Sequence, residues 1–451
     1  MSPTLVMSCT NQAKMPSPKS AKTVRSTTSV FAFASRLLLL AALAQCAGAA
    51  APPACKGSDG YADAFGGRRT FLLRPDWLAT IHSRGAGLPH FASARQTLFA
   101  RADAALAGPT YSVVEKLKVP PSKDKHDYMS IGPYWWPDEG QPGGEPYVRR
   151  DGKVNPERDT NAFDTTALES MSASIEALTL GYYFSSDKRY AQRAAQLLRV
   201  WFLDPATRMN PNANFAQGVP GRTPGRAEGV LDTFRLQRVV EGIGLLAPSK
   251  TLTKAEQAGL EKWFSDYVDW MQTSPTGIEE RSATNNHGLW YDYQLAQFAL
   301  FARRIDLARS AVDRVAQNRI PQQIEPDGKM PRELERTRAL HYSLFALQAA
   351  AGVADLARCV GRDVWGSATA DGRGLKAAIE FLLPYVGRES EFPYPDPKRE
   401  PSELSLELFS RAAWAYREPK YAHAAAALAG FKPDSDINLT IAPWGSMTTA
   451  Q

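Results

Sequence analysis

The sequence predicts an all-α fold, a helical toroid with an inner ring of helices inside an outer ring, and three observations carry that expectation. Apolar residues recur at three- and four-residue steps in eleven stretches: 92–107, 164–184, 188–203, 228–246, 254–271, 288–303, 305–319, 335–358, 373–386, 403–416 and 420–429. Many of these stretches fall in adjacent pairs, and Pro248, Pro275, Pro321 and Pro419 stand in the breaks, where helices end or begin. No convincing run of alternating apolar and polar residues suggests a sheet, and no sequence repeat marks a regular solenoid.

The N-terminus stands apart from this pattern. Residues 1–50 hold Lys14, Lys19, Lys22, Arg25 and Arg36 and no acid, then the run Leu37–Ala44, then Ala47-Gly48-Ala49-Ala50. A basic region, an apolar run and a small-residue cleavage site together read as a secretory signal. The apolar run is too short to span a bilayer. Leu43-Ala44-Gln45-Cys46 matches a lipoprotein box poorly because Gln precedes the Cys, so no lipid anchor is expected. The expected organisation is a signal at 1–50, one toroidal domain over 51–440 and a tail over 441–451, exported to the periplasm or secreted and acting as a monomer.

Composition is that of a globular protein, 44% apolar and 22% charged over 451 residues. The chain has 53 basic and 47 acidic residues; without the five cations of the signal, 48 face 47. A near-neutral mature chain has no general affinity for nucleic acid. Any grip on an anion must be local. Cys9 and Cys46 belong to the presequence, leaving Cys55 and Cys359, which an oxidising compartment permits to pair.

Among the helices, Thr253-Lys254-Ala255-Glu256 is a capping box opening the stretch at 254. Two long breaks interrupt the series. The first, about 108–160, contains His126-Asp127-Tyr128-Met129-Ser130-Ile131-Gly132-Pro133-Tyr134-Trp135-Trp136-Pro137-Asp138. The second runs from Met209 to Arg222 and includes Asn212, Gln217 and Arg222. Loops of this length are functional or disordered. Tyr134, Trp135, Trp136, Tyr147 and Phe215 argue for order, since such rings want burial or a partner. Aromatic faces stack on sugar rings, and amides and guanidinium groups bind hydroxyls and carboxylates. Tyr134, Trp135, Trp136, Asn212, Gln217 and Arg222 are therefore candidate carbohydrate contacts, although each aromatic could equally pin its loop to the helices.

Two short motifs carry the chemistry. In Thr284-Asn285-Asn286-His287-Gly288-Leu289-Trp290-Tyr291-Asp292, a turn-rich break at Thr273–Gly277 precedes and Leu295, Phe298, Ala299 and Phe301 follow at helical spacing. The two Asn and the His thus stand where a loop becomes a helix, near free backbone N–H groups. Asn caps such an end and still offers an amide, and imidazole titrates near neutral pH. That combination suits a ligand carrying a carboxylate. In the second motif, Glu333-Leu334-Glu335-Arg336-Thr337-Arg338-Ala339-Leu340-His341-Tyr342, Arg338 and Tyr342 are four apart and would share a helix face, with Arg336 near the helix start. An Arg beside a Tyr favours the phenolate and lowers its pKa, which suits acid–base work. Either motif alone is compatible with a purely structural role.

Together, Asn286-His287, then Glu333-Leu334-x-Arg336 and Tyr342, resemble the alginate lyase family of polysaccharide lyases. The resemblance extends to the loop from His126, to the Met-Asn-Pro-Asn loop from Met209 and to the Asn285–Asp292 stretch, and covers roughly residues 90–440. It implies an incomplete (α/α) toroid with long aromatic-rich loops over a deep groove. It also implies that Asn286 binds and neutralises a uronate carboxylate, His287 assists as base or neutraliser, Tyr342 transfers the proton and Arg336 supports either. The interval from Arg336 to Tyr342 is six residues, one shorter than the family's usual spacing, so Arg338 remains a second candidate.

The expected reaction is β-elimination on a 1,4-linked polyuronate, leaving a 4,5-unsaturated end. Neutralising the carboxylate stabilises the enolate-like transition state. In β-mannuronate and β-glucuronate the C5 proton and O4 lie on one side of the ring, so a single phenol can take the proton and return it. Poly-β-mannuronate is the first expected substrate and β-1,4-glucuronan the second. The scheme requires no metal or other cofactor, and no clustered ligand spacing stands out. Two other classes stay open. A toroidal glycoside hydrolase would recruit two carboxylates from Asp164, Asp232 and Asp292. A binding protein would have no turnover.

Overall fold

A computed structural model describes residues 52–446; the signal segment read at 1–50 lies outside the described residues. Thirteen α-helices of eight residues or more occur among them. They are α1 (Pro75–Arg84), α2 (Phe91–Ala107), α3 (Thr165–Ser185), α4 (Lys188–Leu198), α5 (Leu236–Leu245), α6 (Lys254–Thr273) and α7 (Pro275–Ser282). The series continues with α8 (Asn286–Phe301), α9 (Ile305–Arg314), α10 (Ala339–Leu356), α11 (Leu375–Leu382), α12 (Glu403–Tyr416) and α13 (Pro419–Phe431).

Packing sorts them into two layers. Helices α3, α5, α8, α10 and α12 form an inner series in which each packs on the next. Helices α2 and α4 back α3, α6 and α9 back α8, α11 backs α10, and α13 backs α12. A short helix, Ile437–Thr440, packs on α1, α2 and α12 and joins the two ends of the series. Sequence explains the sorting, because a helix that is apolar all round must be enclosed. Every residue of α8 except His287 is buried. The stretch Ala339–Val360 is long and apolar enough to cross a membrane by length and composition, but 83% of its most apolar window is buried inside the protein. The packed body continues past residue 440, with Ile441 and Ala442 buried.

The starts of the helices follow local chemistry. Thr253 and Glu256 form the expected capping box on α6, and the Asn285 side chain caps α8 by accepting from the His287 amide, so α8 begins two residues earlier than periodicity suggested. The break at 273–277 is shorter than expected. Ser274 caps Gly277 and Pro275 takes the first helical position, so a further helix, α7, forms there. The stretch 335–358 starts late: one helical turn, Pro331–Leu334, precedes it, and α10 starts only at Ala339. The stretches 188–203 and 305–319 close in π-turns at Arg199–Leu203 and Val315–Arg319.

The two long breaks are ordered by pairing with each other. Strand β1 (Met129–Ile131) pairs in parallel with β4 (Phe215–Gly218), and β2 (Trp135–Trp136) pairs antiparallel with β3 (Val148–Arg149). Strands of two to four residues are too short to leave an alternating pattern in sequence. Cys55 and Cys359, 304 residues apart, are disulfide-bonded.

Candidate active site

A cavity of about 630 Å³ opens where the N-terminus of α8, the approach to α10 and the paired loops meet. Asn286, His287, Arg336 and Tyr342 all line it, with Tyr134, Trp135 and Gln217. Both sequence motifs therefore face one space.

The α8 side is rigid. Arg319 donates to the carbonyls of Ala283 and Arg281 and also to Asp292, which holds the turn into α8. Gly288 permits this approach, since a Cβ there would lie 2.2 Å from the Ala283 carbonyl oxygen and 2.7 Å from Arg319 Nη1. Asn286 is buried; its backbone N donates to Glu333 Oε1 at 2.6 Å and its Nδ2 to Glu333 Oε2 at 2.7 Å. Its Oδ1 is buried without a hydrogen-bond partner. Burial pushes the Glu333 carboxyl above its usual range, against the hydrogen bonds from Asn286. His287 Nδ1 lies 2.6 Å from the buried Glu280 Oε1. Burial disfavours the imidazolium, but the charge of Glu280 and this hydrogen bond outweigh it and raise the His287 pKa. With Nδ1 occupied, Nε2 is the nitrogen left for a ligand.

On the α10 side, Tyr342 stands one turn into the helix. The Arg336 guanidinium carbon lies 3.8 Å from the centre of its ring, and the Tyr134 hydroxyl, delivered by the loop, is 2.6 Å from the Tyr342 hydroxyl. The expectation that a neighbouring Arg lowers the phenol pKa is overturned. Burial raises it well above the usual tyrosine value, the hydrogen bond to Tyr134 raises it further, and Arg336 only partly opposes them. Tyr342 is thus a neutral phenol in the resting site. His341, which also lines the cavity, is pushed down to about 4, first by burial and then by the charge of Arg338.

The geometry separates the two candidate arginines. Arg338 precedes α10 with non-helical backbone (φ −129°, ψ 60°), so the four-residue spacing to Tyr342 does not put them on one helix face, and Arg338 does not line the cavity. Arg336, in the turn before it, does.

Three expected loop contacts also lie off the cavity lining. Asn212 Nδ2 donates to Asp127 and its Oδ1 accepts from the Asn214 amide, so it staples the second loop to the first. Arg222 Nε donates to the Tyr147 carbonyl, and its guanidinium sits 5.4 Å from the Trp135 ring centre. Trp136 Nε1 donates to the Lys153 carbonyl. Gln217 lines the cavity, but its amide is already held between Asp232 and Arg226.

The carboxylates considered for hydrolysis are all committed elsewhere. Asp164 pairs with buried Lys116 at 3.0 Å. Fully buried Asp292 takes Arg314 and Arg319. Asp232 accepts from Tyr128, Ser130 and Gln217. None lines the cavity. Sequence reasoning missed Glu280 as the partner of His287, and Arg149, Arg226 and Glu228 in the lining. Glu280 lies between the break read at Thr273–Gly277 and the Asn286-His287 motif, in α7, a helix the periodicity did not mark, and no sequence signal tied it to His287 on α8. Among the described residues no group of three or more His, Cys, Asp or Glu is placed to hold a metal.

The family model described as alginate lyase matches residues 112–392, more than half of the chain. Among solved structures, an alginate lyase from Bacteroides ovatus is similar with a TM-score of 0.78 and 39% identity, over 83% of this chain and 99% of that one. Alginate lyase A1-III from Sphingomonas species A1 aligns with a TM-score of 0.47 and 14% identity, over 71% of this chain and 87% of that one. No curated protein sequence matches the chain.

Proposed function

The chain belongs to the alginate lyase family and is a polysaccharide lyase; from that premise we propose that it cleaves a 1,4-linked polyuronate by β-elimination, with poly-β-mannuronate the first substrate and β-1,4-glucuronan the second. The observation that carries the residue assignment is the meeting of Asn286, His287, Arg336 and Tyr342, from two separate stretches of chain, on one cavity.

Elimination needs charge stabilisation where the enolate develops and a group that moves one proton. Asn286 and His287 supply the first. Glu333 fixes the Asn286 amide in place, and Glu280 favours the imidazolium of His287, a cation suited to a uronate carboxylate. Tyr342 supplies the second. Its raised pKa makes the phenolate scarce but strongly basic; Arg336 over the ring stabilises it as it forms, while Tyr134 holds the hydroxyl in place. The proton taken from C5 then returns from the phenol to O4 as the glycosidic bond breaks, which is possible when both lie on one face of the sugar. Trp135 presents a ring to the substrate.

The disulfide requires an oxidising compartment, which supports export to the periplasm or beyond through the segment at 1–50. The deciding assay follows ultraviolet absorbance of unsaturated product on polymannuronate, polyguluronate, glucuronan and polygalacturonate separately. Fastest rise on polymannuronate is expected. Release of reducing ends with no absorbance on any polymer would indicate hydrolysis and overturn the proposal.

A further inference from the structure

Arg336 is held in place from the loop opposite it. Its Nη2 donates to Asp151 Oδ1 at 3.0 Å, and Thr337 Oγ1 donates to Asp151 Oδ2 at 3.1 Å. Arg149, from β3, donates to the same carboxylate at 2.7 Å. Gly152 follows with φ +73°, a left-handed conformation, and a Cβ there would lie 2.6 Å from Thr337 Oγ1. The backbone thus approaches the turn before α10 closely enough for a short acid to reach it. The same loop carries Tyr134, and the Arg150 amide donates to the Tyr134 carbonyl at 2.7 Å. Asp151 and Tyr134 therefore arrive as one tied unit, the first on Arg336 and the second on the Tyr342 hydroxyl.

We propose that Asp151 is a positioning residue for the elimination: it holds the Arg336 guanidinium against the Tyr342 ring and sets how much of that charge reaches the phenol oxygen. This rests on the reading of Tyr342 as the proton-transfer group. Charged and titratable groups face Tyr342 from several elements, with Arg226, Glu228 and Glu279 in the cavity lining among them. From the loop come Tyr134, Asp151 and Arg149; from the turn, Arg336; from α10 itself, His341. Across the cavity stand His287 with Glu280, and Glu333 lies behind Asn286. Of these, Tyr134 opposes the phenolate, Arg336 favours it and Asp151 adds to the opposition. Asp151 thus trades phenolate population for a fixed guanidinium.

The test is the pH dependence of kcat on polymannuronate for the unaltered protein, Asp151→Asn and Asp151→Ala, with KM and thermal midpoint measured alongside. Asp151→Asn keeps acceptor and donor atoms near Arg336 but removes the charge. Its rising alkaline limb should move by about one pH unit toward acid with KM little changed. Asp151→Ala releases the guanidinium and should lose about tenfold in kcat at an unchanged thermal midpoint. Coincident limbs for the unaltered protein and Asp151→Asn, while both make unsaturated product, overturn the positioning role and leave the lyase reading standing. No unsaturated product from the unaltered protein on any of the four polymers overturns both.

Discussion

The cavity has two halves of different construction. One is borne by helices: Asn286 and His287 at the start of α8 and Tyr342 on α10, each with a neighbour that fixes it. The other is borne by the paired loops: Tyr134, Trp135 and Arg149, with Asp151 bonded to Arg336 beside them. In the helix half the polar groups stand on buried elements, and α8 is enclosed along its whole length except at His287. In the loop half they hang on or beside strands of two to four residues zipped to one another. Rigid elements hold charge-stabilising groups where the transition state needs them. Loops suit contacts that sort substrates by length and shape. The helix half is thus expected to govern kcat and the loop half chiefly binding.

Mutation can break or sharpen that division. Tyr342→Phe keeps the ring beside Arg336 and removes the proposed proton carrier; turnover should fall by about a thousandfold or more, read as initial rate of unsaturated product, with the thermal midpoint retained. Near-normal activity there would dissolve the helix half as a catalytic unit. Asn286→Ala removes the amide proposed to meet the developing charge and should lower kcat about a hundredfold with a smaller change in KM. A change confined to KM would contradict it. It should also destabilise the fold, because buried Glu333 Oε2 loses its donor while Oε1 keeps the backbone N–H.

Glu280→Gln is a finer probe. Glu280 is what raises the His287 pKa against burial, so without its charge the pKa drops and the imidazolium is lost at lower pH. The limb of kcat/KM that falls with rising pH should shift toward acid, with activity near neutral pH down about tenfold. The same pair is linked to stability. A raised folded pKa stabilises the protein fully below the ordinary imidazole value, and this contribution disappears as pH rises through the folded value. Thermal midpoints across that window should converge for the unaltered protein and Glu280→Gln at the alkaline end. The smallest effect belongs to the loop half: Trp135→Ala should raise KM a few-fold for long chains and less for short oligomers. Equal effects on both lengths would make Trp135 a pin for the loops, with Arg222 as its partner.

The two halves were unequally legible in the sequence. Helical spacing and caps exposed α8, and the pairing of Asn with His at its start marked the pocket wall. In the loops, residue type suggested sugar contacts, yet Asn212 and Trp136 turned inward to bond the loops together. Their amide and indole groups fit either role, and only the register of β1 with β4 and of β2 with β3 decides between them. Arg336 and Arg338 were equivalent candidates until the helix start at Ala339 left Arg338 outside α10.

By itself, the sequence determined the all-α class, most helix spans, the capping of α6 and the family to which the chain belongs. These depend on periodicity, short-range caps and motif order, all local along the chain. Only tertiary structure decided which arginine meets Tyr342, which acids fix Asn286 and His287, and whether Tyr342 rests as phenol or phenolate. Those depend on burial and on partners up to 208 residues apart, as Tyr134 and Tyr342 are. Burial overrode the local expectation of a lowered phenol pKa because desolvation acts from every side of a group, whereas Arg336 acts from one.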